Sequence, residues 1–287
     1  MDLCNIQDIK TLLGRHGFRF SKSLGQNFLT VSWVPEDIVA SAGVDASTNV
    51  LEIGPGIGCL TVELAQVAGR VVAVELDTAL LPVLKETLAA YANTKVVHGD
   101  ILAIDLESLV AEEFAGKKPV VCANLPYNIT TLVLTRLIDS GLFAQITVMV
   151  QREVAHRIVS PAGGSDYGAF SLYIAYHTEP TLLFDVPPDC FIPEPKVTSS
   201  VVTLRMREGP PVDTDKEALF RVIKASFAQR RKTLVNCLDS AFPHASKEAL
   251  TELLISLGRD LRVRGETLDI RAFAEVTDAL LEAGMLR

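Results

Sequence analysis

The sequence predicts an α/β protein: a mostly parallel sheet with helices on both faces, followed by a small all-α C-terminal domain. Three observations predict it. Short β-branched runs alternate with longer helical patterns through the first half of the chain. After Val150 the short runs follow one another without long helices between them. Beyond Gly209-Pro210-Pro211 every periodic segment has the helical repeat.

The elements follow in order. Residues 50–53, 70–75, 95–98, 120–123 and 146–150 read as strands. Between them, 59–68, 77–90, 105–113 and 130–140 read as helices. Residues 151–160 continue as a helix, and 171–176, 181–186 and 200–206 read as antiparallel strands closing one edge of the sheet. Helices over 215–227, 229–241, 247–257 and 270–283 complete the chain. The expected division is a sheet domain with an N-terminal arm over 1–208 and a helical domain over 209–287.

Composition narrows the function classes. With 48% hydrophobic and 22% charged residues, the chain supports a substantial core. No apolar run approaches the roughly 20 residues of a membrane helix, and Asp2, Asp8 and Lys10 interrupt any secretory pattern at the N-terminus. A cytoplasmic protein with no membrane partner is expected. The cysteines (Cys4, Cys59, Cys122, Cys190, Cys237) are scattered with no Cys-x-x-Cys pair, which argues for reduced thiols and against a zinc site.

The net charge of −8 opposes phosphate binding, but the bases are segregated. Residues 9–34 carry Lys10, Arg15, His16, Arg19 and Lys22 with no acid. Residues 220–238 carry Arg221, Lys224, Arg230, Arg231 and Lys232, again with no acid. Arg19, Lys22, Arg230, Arg231 and Lys232 are the candidate contacts to a nucleic-acid backbone.

Leu51-Glu52-Ile53-Gly54-Pro55-Gly56-Ile57-Gly58 places a glycine-rich turn between a strand and a helix, where backbone can approach a ligand closely. Glu75 ends the next strand, 21 residues after Gly54, where a carboxylate can accept from ribose hydroxyls. Asp100 follows the third strand and can accept from an adenine amino group. The spacing does not separate a dinucleotide from S-adenosylmethionine, although Gly-x-Gly-x-Gly departs from the dinucleotide pattern.

The strand at 120–123 runs into Asn124-Leu125-Pro126-Tyr127. The Asn124 side-chain oxygen and the Leu125 carbonyl offer two acceptors for the hydrogens of an exocyclic amine. Pro126 stiffens the loop, and Tyr127 supplies a stacking face. Such a pair turns the lone pair of a delocalised aromatic amine toward a methyl donor. A sulfonium donor calls for no metal and no strong general base.

These segments resemble the KsgA/RsmA rRNA adenine dimethyltransferases over essentially the whole chain. The resemblance rests on Gly25-Gln26-Asn27-Phe28-Leu29, Glu52-Ile53-Gly54-Pro55-Gly56 and Asn124-Leu125-Pro126-Tyr127. Phe191-x-Pro193-x-Pro195-Lys196-Val197 and Phe227-x-x-Arg230-Arg231-Lys232-Thr233-Leu234 extend it. It implies a Rossmann-like, S-adenosylmethionine-dependent catalytic domain and a helical domain that binds RNA or the ribosome. It also implies dimethylation of two adjacent adenosines near the 3′ end of small-subunit rRNA, in the 30S particle or its precursor, by a monomer. By the same resemblance Asn27 and Leu29 close over the cofactor, and Gly54, Gly56, Glu75, Asp100 and Asn124 contact it. Asn124, Leu125, Pro126 and Tyr127 meet the target adenine, with Phe191 on its other face. Leu24 departs from the pattern, since many relatives carry an aromatic before Gly25.

Three alternatives make different demands. An Erm-type enzyme shares the cofactor and Asn-[Leu/Ile]-Pro-Tyr motifs but modifies large-subunit rRNA; Leu125 and Arg230-Arg231-Lys232 in a full-length helical domain argue against it. A non-catalytic binding module has no need of Asn124 and Tyr127. An NAD-dependent enzyme makes no use of them either.

Overall fold

Asn5 opens the first helix by accepting from the backbone N–H groups of Gln7 and Asp8, a side-chain cap. The computed structural model describes residues 1–21, 24–115, 117–229 and 231–286. Two compact units make up the chain: Met1–Ala155 with Thr181–Met206, and His156–Pro180 with Arg207–Arg287.

The first unit begins with α1 (Ile6–Arg15), β1 (Phe28–Leu29) and α2 (Trp33–Ala42). The alternation follows: β2 (Asn49–Ile53), α3 (Cys59–Val67), β3 (Arg70–Glu75), α4 (Leu81–Thr87), β4 (Thr94–His98), α5 (Leu106–Phe114), β5 (Val120–Asn124), α6 (Thr130–Ser140) and β6 (Gln145–Gln151). After α7 (Arg152–Val159) and α8 (Ala169–His177) come β7 (Thr178–Val186), β8 (Phe191–Ile192) and β9 (Ser199–Met206).

The sheet runs β4-β3-β2-β5-β6-β9-β7. Its first five strands are parallel, and β9 lies antiparallel to β6. Val50, Leu51, Val71, Val72, Val121 and Cys122 are fully enclosed, as expected of strands covered on both faces. The order reverses between β2 and β5: from β2 the chain steps outward to β3 and β4, then returns to β5 on the other side. A separate ladder pairs β1 with β8, Phe28 opposite Ile192 and Leu29 opposite Phe191. The expected α/β architecture is borne out.

The second unit holds α8 with α9 (Lys216–Phe227), α10 (Leu234–Ala241), α11 (Lys247–Ser256) and α12 (Ile270–Glu282). Leu172, Leu219, Val222, Leu250, Phe273 and Val276 form its core. The expected strand over 171–176 is wrong: these residues lie within helix α8. Ser171 Oγ accepts from the Gly168 N–H and donates to the Arg157 carbonyl at the helix start. A short β-rich apolar run does not distinguish a strand from a helix packed in a core. Likewise α10 starts only at Leu234, after a turn in which the Lys232 N–H donates to the Gln229 carbonyl. Among the described residues no helix is long and apolar enough to cross a membrane.

Candidate active site

A cleft opens at the carboxyl ends of β2, β3, β4 and β5, at the reversal of strand order, where open α/β sheets bind ligands. It encloses about 1140 Å³ including its open mouth, the scale of a small-molecule site. Residues Leu24 to Leu29 of the N-terminal arm form one wall, and the loop after β5 forms another.

The turn after β2 needs its glycines. Gly54 and Gly56 have φ of 66° and 60°, a left-handed conformation that side chains resist. A Cβ on Gly54 would meet nothing within 4 Å, so the backbone there is bare to the cleft. A Cβ on Gly56 would come within 3.1 Å of the Phe28 ring.

Three carboxyl groups from successive strand ends line this side. Glu75 is 6% exposed, and its Oε1 accepts from the Asp77 N–H at 2.7 Å; burial raises its pKa. Asp100 Oδ1 accepts from the Leu102 N–H at 2.8 Å. Glu52 is 1% exposed, and its Oε2 has no hydrogen-bond partner among the described residues. Burial first, then the nearby Glu75 charge, pushes the Glu52 carboxyl up to about 8. A buried carboxyl with an unused oxygen fits a ligand that carries positive charge and sugar hydroxyls. No Lys or Arg occurs among the described lining residues to pair with a pyrophosphate.

The other side of the cleft is neutral. Asn124 ends β5, and its Nδ2 donates to the Asn27 carbonyl at 3.3 Å. Asn27 Nδ2 in turn donates to the Gly25 carbonyl at 3.0 Å. That assignment leaves the Asn124 Oδ1 as an acceptor. The Leu125 N–H donates to the Met149 carbonyl at 3.1 Å, and its side chain is buried. The Pro126 carbonyl accepts from the Ile129 N–H at 3.2 Å and from Thr130 Oγ1 at 3.1 Å, which turns the chain into α6. Tyr127 is half-buried at the cleft, and its hydroxyl shares a 2.7 Å hydrogen bond with Ser199 Oγ. Burial raises the phenol pKa, so the ring stays neutral.

The cleft thus brings together Asn27, Leu29, Gly54, Gly56, Glu75, Asp100, Asn124, Leu125, Pro126 and Tyr127. Leu24, the departure from the family pattern, is part of its wall. Phe191 is not brought to it. That ring is 5% exposed and packs in an apolar cluster with Leu29, Val34, Cys190 and Val201, because the β1–β8 ladder turns it inward.

The basic islands divide. Arg19, Arg231 and Lys232 are exposed; Lys22 and Arg230 lie outside the described residues. Arg15 and His16 are engaged by Glu86, and the Arg221 guanidinium lies 5.7 Å from the Phe242 ring centre.

Sequence reasoning missed three residues here. Glu52 had a signal, an acid inside an apolar strand that runs into the glycine turn. Gln26 pins the arm, accepting from the Ser21 N–H at 2.9 Å and donating to Asp77 Oδ2 at 2.7 Å. Ser199 gave no local signal.

Comparison with known proteins agrees with this geometry. A family described as ribosomal RNA adenine dimethylase matches residues 17–270. The ribosomal RNA small subunit methyltransferase A of Geobacillus thermodenitrificans is 45% identical over 277 residues, covering 95% of this chain and 94% of that protein. A dimethyladenosine transferase from Plasmodium falciparum superposes with a TM-score of 0.77 at 24% identity, over 90% of this chain and 98% of that one. The 23S rRNA methyltransferase ErmE superposes at 0.69 with 23% identity, over 88% and 99% of the two chains. At those identities the two structures bear on the fold alone.

Proposed function

The chain belongs to the ribosomal RNA adenine dimethylase family, and from that premise we propose that it dimethylates N6 of two adjacent adenosines near the 3′ end of small-subunit rRNA, with S-adenosylmethionine as methyl donor. The observation that carries the reading is the meeting of two unlike walls in one cleft. Glu52, Glu75 and Asp100 stand on one side, and the Asn124 and Leu125 acceptors on the other.

The cofactor, when bound, supplies an electrophilic methyl group on a sulfonium. Glu52 answers its positive charge, Glu75 its ribose hydroxyls and Asp100 its adenine amine, with the bare Gly54 and Gly56 backbone beneath. Asn27 and Leu29 close the arm over it. In the first transfer Asn124 Oδ1 and the Leu125 carbonyl would each accept one hydrogen of the target amine, and in the second one of them would hold the hydrogen that remains. Among the described residues nothing else donates to either oxygen. This grip draws nitrogen toward a tetrahedral shape and points its lone pair across the cleft; orientation of this kind supplies several kcal/mol. Tyr127 stacks on the base, at about 1–3 kcal/mol. Pro126 limits the loop's motion.

Arg19, Arg231 and Lys232 are read as phosphate contacts, residues 209–287 as the RNA- or ribosome-binding domain, and the working form as a cytoplasmic monomer on the 30S particle or its precursor. The small-subunit choice is supported by the 45% identity to a small subunit methyltransferase. The test incubates the protein with labelled cofactor and either unmethylated 30S or 50S particles, then maps the modified nucleotides. Label at adjacent adenosines of 30S RNA is expected; label confined to 50S RNA overturns the reading.

A further inference from the structure

Tyr127 is tethered at its far end by a residue to which no motif pointed. Its phenol oxygen lies 2.7 Å from Ser199 Oγ, across 72 residues of sequence. Ser199 is the first residue of β9 and is fully enclosed. It sits opposite Gln151 in the β6–β9 ladder. On one side of it the Thr198 carbonyl accepts from the Arg152 N–H at 3.0 Å. On the other, Ser200 Oγ donates to Asp185 Oδ1 at 2.6 Å. A hydroxyl on backbone held from both sides is a fixed post.

The consequence for Tyr127 is geometric. Its Cα end is set by the stiff Pro126 loop, and its oxygen end by the post. A phenol held at both ends keeps one freedom, rotation about its own long axis. Without the second anchor, χ1 is free to visit other staggered wells. A platform that swings carries a stacked base with it, and about 1 Å of misplacement costs on the order of a hundredfold in rate.

We propose that Ser199 is a positioning residue for methyl transfer, its hydroxyl holding the Tyr127 ring in place as the platform for the target base. This rests on reading Asn124–Tyr127 as the adenine site. Ser199 touches neither the base nor the methyl donor and acts through Tyr127 alone.

The test compares wild type with S199A, S199T, Y127F and the S199A/Y127F double variant. Each is assayed for methylation of 30S particles and for affinity to S-adenosylhomocysteine. S199A is expected to lower kcat by about tenfold or more, with the S-adenosylhomocysteine Kd unchanged within about twofold. S199T keeps a hydroxyl at the same place and is expected to recover most of the rate. Y127F loses the same hydrogen bond, so it matches S199A, and the double variant falls no further than either single. Full activity in S199A or Y127F, or losses that multiply in the double, overturns the proposal. If melting shows S199A to be misfolded, Y127F against wild type decides the matter alone. Wild type failing to methylate 30S particles sinks the adenine-site reading, a different failure from a fully active Y127F in a working enzyme.

Discussion

The two walls of the cleft rise from neighbouring strands of one parallel sheet, yet they work by different physics. The wall at the ends of β2, β3 and β4 carries three acids, two of them nearly buried. The wall at the end of β5 carries an amide, a carbonyl and a phenol, all neutral, set by hydrogen bonds at 3.3, 3.1 and 2.7 Å. Charge removed from water gives strong binding at the cost of sensitivity to pH. Neutral acceptors held in place give orientation with no such sensitivity. On the proposed reading one wall governs affinity for the methyl donor, and the other governs the rate with the base.

That division breaks most plainly at Asn124. Replacing it with Ala removes one of the two acceptors for the amine, and kcat on 30S particles is expected to fall by about 10²–10³. Affinity for S-adenosylhomocysteine should change only a few-fold, because the acids remain. Full methylation by N124A refutes the mechanism, and a large loss of affinity with kcat intact assigns Asn124 to the opposite wall.

Glu52 tests the charged wall through pH. Its folded pKa, about 8, lies above the unfolded value of 4.5. Between those values the native state holds the extra proton, so stability falls as pH rises. The favourable contribution is complete below about 4.5 and gone above about 8. The span corresponds to a change on the order of 5 kcal/mol. In E52Q that slope should disappear from urea unfolding measured across the same range. Ligand binding runs the other way. A cation beside Glu52 favours the carboxylate, so binding near neutral pH releases a proton and tightens as pH rises toward 8. Calorimetry with S-adenosylmethionine, without RNA, in buffers of different ionisation enthalpy reads that proton. Proton release that persists in E52Q would take Glu52 out of the binding reaction.

Gly56→Ala gives a smaller effect at the floor between the walls. The new methyl group meets the Phe28 ring at 3.1 Å on backbone with φ of 60°. The strain is worth about 1–3 kcal/mol, seen as a lower Tm together with weaker S-adenosylhomocysteine binding. Gly54→Ala, with open space around its Cβ, carries the backbone penalty without the clash. A Tm as high for G56A as for G54A shows that the ring moves aside.

Apart from Glu52, the residues that line the two walls were legible in the sequence, and the reason is local. Glycines, Glu75 and Asp100 each sit at the end of a β-branched run, and the run itself marks the strand. The sheet was readable for the same cause, since strands buried on both faces are written as apolar runs. What escaped depends on long-range contact. Ser199 meets Tyr127 only through the β6–β9 pairing, and Gln26 meets Asp77 only when the arm folds over. Phe191 shows the converse: an aromatic between proline-rich turns has the look of a stacking residue, and strand pairing with Leu29 packs it among apolar side chains. Residues 171–176 carry β-type composition and fold as helix because they pack against α9 and α12.

The smallest effect concerns what neither wall does. A cleft with acids and no described cation in its lining repels phosphate, so the charge that holds the RNA backbone must come from elsewhere. Arg231 and Lys232 are exposed in the turn before α10, a stretch whose sequence carries no acid. Replacing both with Ala is expected to weaken RNA binding at low salt. The slope of log K against log salt should become shallower by about 0.7–0.9 for each phosphate no longer neutralised. Affinity for S-adenosylhomocysteine stays as it was, since that ligand has no phosphate. Equilibrium binding to 30S particles at several salt concentrations reads the slope directly. An unchanged slope returns Arg231 and Lys232 to the ordinary solvated surface and leaves Arg19, Lys22 and Arg230 as the phosphate-binding candidates. A shallower slope with kcat at saturating substrate unaltered separates holding the RNA from orienting the amine.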